Sequence, residues 1–342
     1  MNARWKKAVK YVLLLLLVAV LLYFAFRGVG WNDFVSGLKS CRWGWIVGTI
    51  GVLWLIVWLR GCRWRLMLEP VRQGAEKITR REAYDAYAVC YLSNLAFPRS
   101  GEVVRSGLLA ETRKTTFEGA LGTVVVERMW DLVCMLLAVI PLLFFGRFRD
   151  FIVEKMLAPA AGTLHVGWLW IVLAALALLV GLFFLIRARR EQLARSRAGA
   201  AVLKFFRGLL SGITAVFKMD RKWGFLFYSV LIWTGYWLTS WMTVRAFPAA
   251  DSLGGLDALF LMVVGSLGWV VPVQGGFGAY HFIVSMTLVP IYGFDKSTGL
   301  VFATLSHESQ IVQMLLCGLV SLVSWALYRK KLKSTSLSPS ES

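Results

Sequence analysis

Charged residues are scarce in this sequence, and they are unevenly spread. They make up 17% of the 342 residues, against about 25% in a typical soluble domain. Long uncharged stretches separate them into blocks, and hydrophobic residues reach 58%. A soluble fold of this length has too little interior to bury so much apolar surface. The composition therefore excludes an ordinary soluble protein and predicts a multi-span membrane protein.

Several motifs that carry chemistry are missing. The five cysteines include no CxxC pair, and the three histidines include no HExxH. Neither a disulfide framework nor a zinc site is predicted. The chain also has no GxxxxGK[ST] and no GxSxG, so an ATP motor and a hydrolase nucleophile are not expected. We expect no metal and no cofactor.

Basic residues outnumber acidic ones, with 38 Lys and Arg against 19 Asp and Glu. Most of them flank hydrophobic stretches, which indicates anionic lipid as the partner and not nucleic acid. With the N-terminus inside, 29 of the 38 basic residues fall on the cytoplasmic side and eight outside. The positive-inside rule then predicts that both termini are cytoplasmic.

Six hydrophobic stretches are about 20 residues long. This length is enough to cross about 30 Å of hydrocarbon. The first is expected to be an uncleaved span and not a signal peptide. Two further stretches, 84–112 and 256–292, are broken in the middle. The predicted fold class is an all-α polytopic membrane protein with six full spans plus two broken or re-entrant helical hairpins, or eight spans if each hairpin is counted. The six spans are 9–28, 43–59, 119–145, 166–186, 223–245 and 298–327.

The two broken stretches are predicted to enter from opposite faces, as in inverted-repeat transporters. Non-helical backbone at membrane depth needs protein or a watery cavity to satisfy its polar groups, so we expect the breaks to share a polar cavity. Residues 1–328 would form one transmembrane domain. Its loop 187–222 is either a cytoplasmic amphipathic helix or a solvated linker. Residues 329–342 are predicted to be a disordered cytoplasmic tail.

The first break carries the most informative motif. Pro98 is expected to end a helix and Gly101 to permit a tight reversal. Arg99 and Arg105 supply donors suited to phosphate, and Glu102 lies one helical turn before Arg105. The alternative is a kinked hairpin in which Glu102 and Arg105 form only an internal clasp.

A second group of charges lies inside a predicted span. Glu127 and Asp131 are four residues apart and share a helix face, and Arg128 borders both. Charges at this depth are costly unless they are paired or hydrated, which favours a functional role. The alternative is a structural ion network that pairs with Arg99 or Arg105.

The second break contains Pro272, Gly275, Gly276 and Gly278. No strand precedes these glycines, so they indicate a close approach or a hinge and not a dinucleotide site. His281 follows the break, either as a proton carrier or headgroup donor or as a structural histidine. A polar patch in the last span is predicted to line the cavity, and it consists of His307, Glu308 and Gln310.

These motifs in order resemble the lysylphosphatidylglycerol synthase transmembrane-region family, also called flippase-like. In members with a soluble aminoacyl-transferase domain, such a region moves aminoacylated phosphatidylglycerol between leaflets. This chain ends soon after its last span, so lysyl-lipid synthesis is not carried over. The resemblance implies a bacterial inner-membrane location. It rests on Arg60, Arg63-Trp64, Asn94, Pro98-Arg99-Ser100-Gly101-Glu102, Arg105, Ala120, Glu127-Arg128, Asp131, Pro272 and Gly275-Gly276-Phe277-Gly278.

The resulting hypothesis is a flippase for an anionic or aminoacylated phospholipid, or for another lipid-linked phosphate. The alternatives are a membrane-embedded transferase acting on a lipid-linked donor, and a non-catalytic subunit that recruits a soluble lipid-modifying enzyme. Whether the chain is an enzyme, and whether it forms a homodimer, stay open. The expected headgroup ligands are Asn94, Arg99, Arg105 and Arg128, and the expected charge network or proton exchangers are Glu102, Glu127, Asp131 and Glu308.

The predicted orientation can be checked by cysteine labelling. In a cysteine-free background, Ser336→Cys should react with a membrane-impermeant maleimide only after the cells are opened, because the tail lies inside. A probe placed at Lys39, on the predicted outer side, serves as the positive control. Labelling of Ser336→Cys in intact cells would contradict the orientation.

Overall fold

The computed structural model describes residues 16–151, 219–271 and 273–337, and these residues form helices joined by short turns. They contain no β-strand, only an isolated bridge between Arg72 and Thr115. The all-helical class predicted from composition is therefore confirmed for this part of the chain. Its eleven α-helices are α1 (Leu16–Phe26), α2 (Trp31–Lys39), α3 (Trp43–Leu68), α4 (Arg80–Ala96), α5 (Gly101–Glu111), α6 (Phe117–Leu143), α7 (Gly146–Asp150), α8 (Lys222–Ala246), α9 (Gly255–Val270), α10 (Ala279–Tyr292) and α11 (Lys296–Leu337).

Two helices in the described residues are both long and apolar enough to cross a membrane. They are α3 with its short extension to Val71, and α11 as far as Lys330. A third candidate is the pair α1 and α2, which bends by 83°. The predicted span 166–186 lies outside the described residues, as does the loop 187–222 up to residue 218. The membrane class is thus supported, whereas the count of six full spans is not established.

Helix α3 is longer than the sequence suggested. The predicted span ended at residue 59, but α3 continues to Leu68 and a 3-10 turn follows to Val71. Arg60 and Arg63 are buried inside the helix. Their guanidinium groups contact hydroxyl groups and aromatic rings of neighbouring helices. Because these contacts compensate the charges, the helix can continue past Arg60.

The C-terminal segment is also more ordered than predicted. The disordered tail expected for 329–342 is wrong in its first part, because α11 extends to Leu337. Residues 338–342 lie outside the described part of the chain. Lysine and leucine favour helix propagation, and the first helix-breaking residue after the span is Pro339.

Helices α4 and α5 form the first helical hairpin. A capping box starts α4, since Thr79 Oγ1 accepts from the Glu82 amide and Glu82 Oε2 accepts from the Thr79 amide. The two helices approach so closely that a Cβ on Gly101 would lie 2.1 Å from the Cys90 carbonyl oxygen. Gly101 was expected to provide a reversal, but it is the first residue of α5 and serves this close approach instead.

Helices α9 and α10 form the second helical hairpin. Gly265 and Gly268 pack on Tyr280, and a Cβ on Gly268 would lie 2.7 Å from its Cα. The turn between them has positive φ at Gly275, Gly276 and Gly278, a region that glycine adopts without steric cost. The break predicted there is confirmed, although Pro272 itself lies outside the described residues.

The chain divides into two compact units. The first comprises residues 1–124 and 221–342, and the second comprises residues 125–220. Both helical hairpins belong to the first unit. The charged group Glu127, Arg128 and Asp131 belongs to the second.

Helices α3 and α8 pack along their length in the first unit. Their apolar cluster includes Leu53, Ile56 and Ile232. At one end the Arg42 amide donates to the Ala246 carbonyl over 2.8 Å, and the Arg42 guanidinium makes two 2.7 Å hydrogen bonds to Asp251. These hydrogen bonds lower the pKa of the exposed Asp251 carboxyl. The pair therefore joins the two helices at neutral pH and weakens only in acid, when Asp251 takes up a proton.

Two glycines in α5 test the packing of the first helical hairpin. Gly101→Ala should lower the free energy of unfolding by about 2 kcal/mol or more, because the added methyl group meets backbone of α4. Gly107→Ala, which faces open space on the same helix, should raise it by about 0.5–1 kcal/mol. Thermal unfolding in detergent measures both. Equal effects of the two variants would contradict the close approach.

Candidate functional site

The tips of the two helical hairpins meet. Arg99, in the turn between α4 and α5, donates from Nη2 to the Val270 carbonyl oxygen at the end of α9 over 3.1 Å. A Cβ on Gly275 would lie 3.1 Å from Cδ2 of Leu95. The predicted approach of the two breaks is thus confirmed. A polar cavity between them stays a prediction.

Arg99 has an unusual backbone conformation. Its φ is +58°, and the only other non-glycine residue with positive φ in the described part of the chain is Arg113. Non-glycine residues adopt this region at a cost, and such residues cluster at functional sites. The Arg99 side chain is exposed. Its guanidinium group is therefore held at the surface of the hairpin junction.

Asn94 supports the turn between α4 and α5 through its side-chain oxygen. Its Oδ1 accepts the Gly101 amide over 2.8 Å, so it caps the start of α5. Ser100 Oγ donates to the carbonyl oxygens of Ser93 and Phe97 at 3.0 and 2.9 Å. These hydrogen bonds satisfy backbone groups at the break, and a role of Asn94 in headgroup binding stays a prediction.

Arg105 occupies a very different environment from Arg99. It is fully buried, and its guanidinium carbon lies 4.5 Å from the ring centre of Trp64 and 4.4 Å from that of Tyr87. Cation–π interactions of this kind are strongest when the cation is desolvated. This arrangement stabilises α5 against α3 and α4.

Two further buried arginines extend this arrangement into an arginine–aromatic cluster, defined as Arg60, Arg63, Trp64, Tyr87 and Arg105. Arg60 donates from Nε to the Tyr236 hydroxyl at 2.7 Å and from Nη1 to the Tyr87 hydroxyl at 3.0 Å. Arg63 donates from Nη1 to Ser229 Oγ at 3.3 Å. The predicted span 43–59 ended just before Arg60 and Arg63, although the Arg-x-x-Arg-Trp series directly after an apolar run was a visible signal.

The three charged residues of α6 differ in burial. Glu127 is fully buried, and Arg128 lies 4.0 Å from Asp131, with the Arg128 side chain 41% and the Asp131 side chain 12% exposed. Arg128 and Asp131 are three residues apart, so the contact follows the helix surface. The structure thus joins the predicted Arg128 and Asp131 as a pair.

Histidines and a carboxylate meet beside the second break. His307 Nε2 lies 2.8 Å from the Gly275 carbonyl oxygen, and His307 Nδ1 lies 3.0 Å from Glu308 Oε1. His281 Nε2 lies 3.6 Å from the same Glu308 oxygen. Gln310 does not join this group, because its amide donates back to the Ser306 carbonyl of its own helix. The three grouped residues link α10, α11 and the break.

Comparison with protein families identifies the chain. A family model described as the lysylphosphatidylglycerol synthase TM region matches residues 11–318. The chain belongs to this family. Neither the comparison with curated proteins nor that with solved structures found a match. The lysylphosphatidylglycerol synthase TM-region family is concerned with membrane lipid metabolism or transport.

Arg105 is predicted to stabilise the family fold through its two rings. Arg105→Lys keeps the charge but loses the planar guanidinium, so it should lower the free energy of unfolding by about 2 kcal/mol or more. Arg329→Lys, at an exposed pair with Glu111, should change it by less than about 0.5 kcal/mol. Thermal unfolding in detergent compares them. If the Arg105→Lys variant is as stable as the wild type, Arg105 becomes a ligand-binding candidate again.

Proposed function

We propose that this protein moves an anionic or aminoacylated phospholipid, or another lipid-linked phosphate, between the leaflets of a bacterial inner membrane. Its membership of a family concerned with membrane lipids supports the class of substrate. The observation that carries the proposal is the hydrogen bond from Arg99 to Val270, which joins the tips of two helical hairpins through an exposed cation.

Arg99 is the proposed first contact for the lipid headgroup. A phosphate group is a charged acceptor that can take two parallel hydrogen bonds from one guanidinium group, whereas the Val270 carbonyl oxygen takes one from Arg99 Nη2. A headgroup would therefore compete with Val270 for the guanidinium group. Once Arg99 turns to phosphate, the link between the hairpin tips is broken and the two helical hairpins are free to separate.

The acyl chains need not follow the headgroup into the protein. They would stay in the bilayer while the headgroup passes between the hairpin tips, which confines the cost of crossing to the polar part. Arg128, with 41% of its side chain exposed, is proposed separately as a headgroup-binding cation of the second unit. Asp131 would orient Arg128, and Glu127 with Asp131 would exchange protons if the transport is driven by a gradient.

The arginine–aromatic cluster has a supporting role in this mechanism. Arg105 packs between Trp64 and Tyr87 and so fixes the base of the first helical hairpin on α3. A fixed base would allow the tip at Arg99 to move without loss of the fold. Arg105 is therefore proposed as a positioning residue, while Arg99 contacts the substrate.

Replacing Arg99 by glycine separates ligand binding from stability. Arg99→Gly removes the guanidinium group and with it the hydrogen bond to Val270, but glycine suits the positive φ. Relief of the backbone strain should offset part of this loss, so the thermal midpoint should stay within a few degrees of that of the wild type. Loss of a charge-assisted hydrogen bond should reduce transport about 10- to 100-fold. The readout is transfer of fluorescent phosphatidylglycerol between leaflets in proteoliposomes, with mass spectrometry of copurified lipid to choose the headgroup.

Arg113→Gly is the matched control. Arg113 is also exposed and has a φ of +60°, but it lies after α5, away from the hairpin tips. It should transport lipid like the wild type. Equal transport by the Arg99→Gly and wild-type proteins would refute the role of Arg99. Product formation from a lipid-linked donor without transfer would instead favour a transferase, and copurification of a soluble enzyme without transfer would favour a recruiting subunit.

A further inference from the structure

We propose that His281, His307 and Glu308 bind a divalent transition-metal ion, with Zn²⁺ as the first candidate. One potential ligand atom from each residue lies within 4.8 Å of the other two. The sequence argued against a metal because His307 and Glu308 are neighbours and no HExxH follows. It did not show that α10 brings His281 to them from 26 residues away.

The hydrogen bond of His307 fixes which of its nitrogen atoms is available. The Gly275 carbonyl oxygen can only accept, so Nε2, at 2.8 Å from it, carries the proton. In the neutral ring Nδ1 then presents a lone pair. This lone pair faces Glu308 Oε1, another acceptor, at 3.0 Å. Two acceptors at this distance repel each other unless a positive charge lies between them.

The positive charge between His307 and Glu308 could be a proton or a metal ion, and the position of His281 favours a metal ion. A shared proton would satisfy His307 and Glu308, but the 3.6 Å from His281 Nε2 to Glu308 Oε1 is too long for a hydrogen bond. His281 is buried, and its Nε2 is the ring nitrogen that lies towards the Glu308 carboxylate. A metal ion would engage all three side chains at once.

The separations suit a metal ion after a small adjustment. Ligand atoms about 2.0–2.2 Å from a tetrahedral ion are about 3.3–3.6 Å apart, and the measured 3.0 and 3.6 Å lie close to this range. The widest separation in the set, 4.8 Å, would have to close by about 1 Å. Ion binding would therefore draw α10 and α11 together.

The surroundings are those of a metal-binding histidine. Such a ring commonly donates its second N–H to a backbone carbonyl, which fixes its orientation, and Gly275 provides this partner. Trp269 stacks on His307 with ring centres 5.5 Å apart, and Phe277 lies edge-on at 4.9 Å. These rings restrict the imidazole to one orientation. Two imidazoles with one carboxylate form a donor set that suits zinc and leaves one position open.

The location of Glu308 explains why its charge needs compensation and how an ion could reach it. Glu308 lies about 18 Å along α11 from Lys296, inside the candidate span Lys296–Lys330. A carboxylate at that depth requires a compensating positive charge. Its side chain is 39% exposed, so an ion can reach the site from outside the protein.

Metal binding can be measured on the full chain in detergent, purified through a histidine-free tag and stripped with chelator. Titration with Zn²⁺ should show about one site per chain and a rise in thermal midpoint. Co²⁺ should give visible absorption bands of a nitrogen- and oxygen-ligated ion. His281→Gln and Glu308→Gln should each weaken Zn²⁺ affinity more than about 10-fold, because even the loss of an outer partner costs 10- to 100-fold.

The third histidine of the chain provides the matched control. His165→Gln should bind Zn²⁺ like the wild type, which assigns the site to the other two histidines. The proposal is overturned if the wild type binds neither ion, or if His281→Gln and Glu308→Gln bind as well as the control. Infrared detection of a protonated Glu308 in a wild type that binds no metal would instead show a shared proton. None of these results depends on lipid transport.

Discussion

Hydrogen bonds from side chains to interrupted backbone hold the two helix breaks of this protein together. Backbone groups released at a break cannot be left facing lipid, since each unsatisfied group costs several kcal/mol. Arg99 donates to the Val270 carbonyl oxygen, His307 donates to the Gly275 carbonyl oxygen, and Asn94 accepts from the Gly101 amide. Because the first two of these join different elements, the hairpin tips and α11 depend on one another.

Glycine makes these contacts possible. Helices in a membrane gain little from hydrophobic burial against each other, so they associate through close packing at small residues. Gly101 lets α5 touch the backbone of α4, and Gly268 lets α9 touch Tyr280. At Gly278 a Cβ would lie 2.9 Å from Leu21 of α1. In both helical hairpins the two helices therefore pack closely, and the backbone is irregular at the tips.

The arginines divide into two environments with different physical consequences. Arg105 is desolvated and held by aromatic faces, so its charge is compensated inside the protein and contributes to the fold. Arg99 is exposed and makes one hydrogen bond to a neutral carbonyl, which a charged ligand can replace. The same residue type therefore supports the fold at one position and is proposed for recognition at another, according to what surrounds the guanidinium group.

The sequence by itself determined the helical membrane class, the family and the positions of both breaks. These follow from local composition, from the positions of Pro and Gly, and from the order of the motifs, all of which can be read directly from the sequence. It did not reveal that α3 continues through Arg60 and Arg63, nor that Arg105 is enclosed by Trp64 and Tyr87. Burial of a charge depends on partners from other helices, and those partners are distant in sequence. The meeting of His281 with His307 and Glu308 has the same origin, because only the packing of α10 on α11 brings residues so far apart within reach of one ion.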